Sequence, residues 1–270
     1  MLNFFHNVNK YLEFDKNERK QLLAVCIVFA FSIGYDKVLS AETPILAITS
    51  MLTSLVISSS AVMAKELGHK LMAIKKGYTV KTRVWPAMLM INLILIMLFR
   101  GEVFIVLPVT GLLIYHHERM RIGKFFYGHN YVDNASIAFA GPLSNVYLAV
   151  FFNAFLGFNN PNVLLAMQFN LLYALISMVP ADIILFFLKT NNMFEDSENK
   201  EKKDDNHDAP TSGTYMFYST QVFYVFCVTF IAVLSAATFA FNPFAATLVA
   251  FLMAGIAFLA FWFMKGFDVS

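Results

Sequence analysis

The sequence predicts an all-α polytopic membrane protein with about six transmembrane helices plus one re-entrant or hairpin segment. Three observations carry that prediction. Of its 270 residues, 58% are hydrophobic and only 14% are charged, whereas a soluble domain has about 45–50% apolar and about 25% charged residues. The apolar residues fall in runs near the length of roughly 20 needed to cross a bilayer. Lys and Arg collect in alternate loops, as they do on the cytoplasmic side of membrane proteins. The composition therefore demands a lipid bilayer as partner. A net charge of +2 gives no electrostatic reason to expect nucleic acid.

The elements follow in order. Residues 1–20 mix acids and bases, so they read as a cytoplasmic N-terminal segment and not as a signal peptide, which needs an apolar stretch. A membrane core runs over 21–190. Its first span lies near 21–35, and its second starts at Pro44 and reaches about Ile74. Two apolar arms follow, 86–99 and 102–115, interrupted by Arg100, Gly101 and Glu102. Further spans are expected at 134–157 and 162–189. Segment 191–215 is polar and rich in charge, which reads as a flexible cytoplasmic linker. Spans at 216–240 and 244–264 make a C-terminal helical hairpin over 216–270. Cys26 and Cys227 each sit inside an apolar run, where a thiol behaves as a small hydrophobe.

Charge orients this map. Lys10, Lys16, Arg19 and Lys20 precede the first span, and Lys70, Lys75, Lys76, Lys81 and Arg83 close the second. Arg119, Arg121 and Lys124 follow the broken pair of arms. Lys189, Lys200, Lys202 and Lys203 follow the 162–189 span, and Lys265 follows the last. The opposite loops hold only Lys37, beside Asp36 and Glu42, and uncharged turns. Both termini and the 191–215 loop are thus expected in the cytoplasm. This holds if the 86–115 segment enters and leaves on one side, which leaves a re-entrant helix, a β-hairpin and two true spans all open.

Ionisable side chains inside a span cost roughly 2.5–3.5 kcal/mol each, so they mark sites by default. Two places qualify: Lys65, Glu66 and His69 near the end of the second span, and Asp182. Leu46 to Glu66 and Asn162 to Asp182 are each 20 residues, or about 30 Å of helix. Both sites are therefore expected at a similar level near the cytoplasmic face. Lys65 and His69 stand at i, i+4, and Glu66 and His69 at i, i+3, all neighbours on one helix surface. Zinc hydrolases use this spacing as H-E-x-x-H, with two imidazoles on the metal and the Glu as base. Here the string reads Lys65-Glu66-Leu67-Gly68-His69, with lysine in the first place.

Four ordered stretches carry a family resemblance. AKELGHKLMAIKKGY (64–78), VKTRVWPAML (80–89), FAGPLSN (139–145) and ALISMVPAD (174–182) resemble segments of the site-2 proteases, the intramembrane zinc metalloproteases, especially their archaeal-type members. The resemblance implies a site-2-protease-like core, with Glu66 as catalytic base, His69 and Asp182 as Zn²⁺ ligands, and a transmembrane segment of a protein as substrate or partner. It marks Gly141, Pro142 and Asn145 for substrate contact or helix packing. Trp85 reads as an interfacial anchor.

The departures shape the expected activity. Lys65 stands at the first ligand position, and a lysine ammonium has three donors and no lone pair for a metal. Ser177 replaces the family's asparagine, the stretch before Asp182 is about three residues shorter than the family's, and Ile183 follows the aspartate in place of glycine. Two ligands hold zinc poorly, since catalytic sites use three plus water. The expectation is a non-catalytic or weakly active relative that binds transmembrane segments, with Lys65 paired to Glu66 or Asp182. The alternatives are an active zinc metalloprotease, with a rescue ligand drawn from His6, His116, His117, His129 or His207, and a transporter relaying through Lys65, Glu66 and Asp182.

Overall fold

A computed structural model of the chain describes residues 2–101, 106–116, 131–156, 160–182, 209–240 and 243–267. Among these the structure is mostly helical. Helix α1 (Leu2–Tyr11) is followed by α2 (Lys16–Leu39) and α3 (Pro44–Lys76). Strand β1 (Tyr78–Val84), helix α4 (Pro86–Leu98) and strand β2 (Thr110–His116) come next. Then come α5 (Tyr131–Leu156), α6 (Pro161–Ser177), α7 (Ser212–Ser219), α8 (Gln221–Ala240) and α9 (Pro243–Phe267).

Helices α2, α3, α5 and α8 are long and apolar enough to cross a membrane. About six spans were expected. Helix α6, with 17 residues, is shorter than those four, and α9 is an apolar helix of 25 residues. The expected span over 162–189 is not continuous, because α6 ends at Ser177 and a turn precedes Asp182. Residues 183–189 lie outside the described set.

Helix α3 shows the logic of lipid-facing packing. Thr43 caps its N-terminus and Pro44 occupies the first turn, where the missing N–H costs nothing. Gly77 ends it at φ 83°, a left-handed position that glycine adopts without strain. In its first half the exposed large apolar residues are Ile45, Leu46, Ile48, Leu52 and Val56, while Ser54 and Ser58 are buried. That inverts the pattern of a soluble helix and suits hydrocarbon outside with small polar residues inside. Ser58 Oγ donates to the Cys26 carbonyl at 2.8 Å, and the Ser54 side chain lies against Gly34. So α2 and α3 approach closely. On its other side α3 meets α5, where Gly68 lies against Ser144 and the Ala140 carbonyl.

Of the forms left open for the 86–115 segment, the described residues show a short helix and a strand. Strands β1 and β2 pair antiparallel, with Tyr78 opposite His116 and Val84 opposite Thr110. Helix α4 is inserted between them. Its 13 residues extend about 20 Å, too short to cross a core of about 30 Å. The arm expected at 102–115 is not a span: its described end is strand β2. Antiparallel pairing returns the chain to the end where it left, which is what the charge pattern required.

The 191–215 segment was expected to be a flexible linker. Residues 191–208, with Lys200, Lys202, Lys203 and His207, lie outside the described set. From Ala209 onward the chain is packed: Ala209, Thr211, Ser212 and Thr214 are all buried, and α7 starts at Ser212. Two apolar clusters form the core. One joins β1, α5, α6 and α8, and the other joins α2, α3 and α6.

Candidate functional site

Helix α3 brings Lys65, Glu66 and His69 to the protein interior, at 3%, 0% and 0% exposure. The three share one helix surface but reach different partners.

Lys65 reaches β2 and α6. Its Nζ donates to Thr110 Oγ1 at 2.9 Å and to Tyr173 OH at 3.4 Å, and stands 4.6 Å from the Tyr173 ring centroid. A cation at that distance from an aromatic ring is attracted by its quadrupole. The expected ion pair with Glu66 or Asp182 is absent: among the described residues no carboxylate lies within salt-bridge distance of Lys65. A hydroxyl, a phenol and a ring hold this ammonium in place of a counter-ion.

Glu66 turns toward β1, and its Oε2 accepts from the Thr82 hydroxyl. Its Oε1 is buried and has no partner among the described residues. Thr82 does double service. Its side chain points inward to Glu66, while its amide, on the free edge of the strand, donates to Glu18 Oε1 at 3.0 Å. Glu18 in turn pairs with Lys70 at 3.0 Å, with both side chains 5% exposed or less. Lys70 also donates to the Glu13 carbonyl at 2.9 Å and the Val80 carbonyl at 3.3 Å, and lies over the Phe14 ring. Lys70 does not snorkel outward. It locks the start of α2 to α3 and β1.

His69 faces α5. Its Nδ1 is 2.9 Å from the Ile137 carbonyl. A carbonyl only accepts, so Nδ1 carries the proton and Nε2 the lone pair. Nε2 lies 3.5 Å from Ser212 Oγ. The ring packs on Gly141, where a Cβ would fall 2.1 Å from Nε2. Gly141 thus provides space for the imidazole. Pro142, beside it, is buried inside α5 and lacks the N–H that would bond the Ala138 carbonyl. Asn145, one turn further, is fully buried, and neither end of its amide has a partner among the described residues.

Asp182 serves the N-terminus of α7. Its Oδ1 accepts from the Thr211 amide at 3.3 Å, from Thr211 Oγ1 at 2.9 Å and from the Thr214 hydroxyl. A carboxylate there also meets the positive end of the helix dipole. So His69 and Asp182 both contact a single turn, 211–214, while Glu66 turns toward Thr82.

This arrangement does not fit a catalytic zinc ion. Among the described residues no three His, Cys, Asp or Glu side chains are gathered as ligands. Of the rescue histidines, His6 is exposed on α1 and His116 ends β2 opposite Tyr78. His117, His129 and His207 lie outside the described residues. Trp85 caps α4 and is half-buried.

Sequence reasoning missed Glu18, Thr82, Thr110, Tyr173 and the 211–214 turn. Glu18 had a readable signal, since Asp15 and Glu18 form a capping box at the start of α2. The others are single hydroxyls whose partners lie far along the chain, and no local pattern marks them. No family model, no curated protein and no solved structure matches this chain.

Proposed function

We propose that this chain is a non-catalytic relative of the site-2 proteases, which keeps their membrane core and binds transmembrane segments of partner proteins. One observation carries the reading: each side chain at a ligand position of the motif is engaged with the protein itself. Lys65 is held by Thr110 and Tyr173, His69 by Ile137 and Ser212, and Asp182 by the α7 N-terminus. A hydrolytic zinc site needs three ligands and an open position for water. Here a lysine, which brings a charge and three donors, takes the first of those places. The ammonium ties α3 to β2 and α6, a structural role of the kind a metal ion can play, without a nucleophile. The Lys and Arg distribution supports cytoplasmic termini.

Zinc content decides the matter. The full chain, purified in lipid nanodiscs under metal-replete conditions, is measured by elemental analysis beside Glu66→Gln and His69→Ala. The expected result is zinc far below one ion per chain and the same in all three proteins. One zinc per wild-type chain, lost in His69→Ala, would overturn the reading and make an active metalloprotease the better one.

A further inference from the structure

We propose that residues 209–214 are a latch: an internal segment that covers the partner-binding site and detaches from it without unfolding of the membrane core. The proposal deepens the partner-binding reading above, on which it rests, by naming what regulates the site.

The latch is seated on three places at once. First, it lies along the second edge of β2, whose other edge is taken by β1. The Leu112 amide donates to the Pro210 carbonyl at 2.8 Å. Gly111 permits the approach, since a Cβ there would sit 2.1 Å from the Ala209 carbonyl oxygen. Second, Ser212 stands at the one imidazole nitrogen of His69 that has a lone pair. Third, Thr211 and Thr214 occupy Asp182. A single turn of chain therefore closes β2, His69 and Asp182 together.

Its chemistry suits release. The sequence Ala209-Pro210-Thr211-Ser212-Gly213-Thr214 contains no large apolar side chain, so its seating buries little surface of the kind that drives packing. Hydrogen bonds hold it, each contributing about 0.5–1.5 kcal/mol net when both partners are neutral and about 1.5–3 kcal/mol to a carboxylate such as Asp182. The strand-edge bond can be made by an extended segment of another protein, because a strand edge accepts any backbone, while the bonds to His69 and Asp182 come chiefly from the hydroxyls of Ser212, Thr211 and Thr214. Gly213 is tightly fitted against the Met178 carbonyl, as Ala209 is against Gly111. The large side chains that follow, Tyr215 and Met216, join the apolar core and anchor the latch at its C-terminal end.

The test is native-state thiol labelling of the full chain in nanodiscs, with Ser212→Cys as reporter and the native Cys227, fully buried on α8, as internal reference. Maleimide addition at each site is followed by peptide mass spectrometry. A latch predicts that Cys at 212 labels at least tenfold faster than Cys227. Adding Asp182→Asn, or Thr214→Val as a second variant, speeds the reporter a further tenfold and leaves Cys227 unchanged. Equal rates at the two sites, no response to either variant, or acceleration of both sites together would each overturn the proposal, since the segment would then open only with the whole fold. Labelling needs no partner, so its failure leaves the partner-binding reading to its own zinc test.

Discussion

Removing one end of the Glu18–Lys70 pair should be among the most damaging single changes in the molecule. Lys70 has three N–H donors, and all three are used: Glu13 at 2.9 Å, Glu18 at 3.0 Å and Val80 at 3.3 Å. Lys70→Met preserves most of the stem and its contact with Phe14. It removes the charge, orphans two carbonyls and leaves the Glu18 carboxylate buried without its cation. Breaking a buried pair from one side costs about 3–5 kcal/mol. Glu18→Gln in the same chain removes the stranded charge, so the double variant should regain at least half of that loss. The assay is denaturant unfolding in mixed micelles, read by emission from Trp85, which directly follows β1. Stability of Lys70→Met within about 1 kcal/mol of wild type, or strictly additive losses in the double variant, would refute the argument that this pair is a desolvated and coupled one.

Two further outcomes follow from the same geometry. Thr82→Val is nearly isosteric but leaves both Glu66 oxygens without a partner among the described residues, which should cost about 1–3 kcal/mol. Thr82→Ser, which retains the hydroxyl, should cost less, and equal unfolding midpoints for the two would show that the hydroxyl contributes nothing. Lys65→His places imidazoles at i and i+4, yet should leave the chain without bound zinc while the 211–214 turn is seated on Asp182. Stoichiometric zinc in that variant by elemental analysis would contradict this.

Much of the architecture was legible because it follows from local chemistry. Apolar runs of spanning length announce α2, α3, α5 and α8, since hydrocarbon imposes length and apolarity on each helix separately. The charged loops required the 86–115 segment to return to its starting side, and the pairing of β1 with β2 does so. The local motif Lys65-Glu66-x-x-His69 singled out a part of α3 that is buried despite its charge. Periodicity could not show that half of the broken pair is a strand. A short apolar run is compatible with either form, and the partner β1 lies 26 or more residues away at every paired position. The composition of 191–215 likewise suggested a tether, because small polar residues such as Thr211 and Ser212 read as loop wherever they are not seen against their partners.

What the sequence by itself determined is the membrane class, the order of the long apolar helices and the buried charge of the Lys65–His69 motif, because each depends on residues within one or two turns of each other. What only the tertiary structure decided is the use of those charges. Lys65 could equally have faced Glu66, Asp182 or a hydroxyl, and the choice fell to Thr110 and Tyr173, which stand 45 and 108 residues away in sequence. Hydrogen-bond partners at such separation are selected by the packing of whole helices and strands, and that information resides in no single segment of the chain.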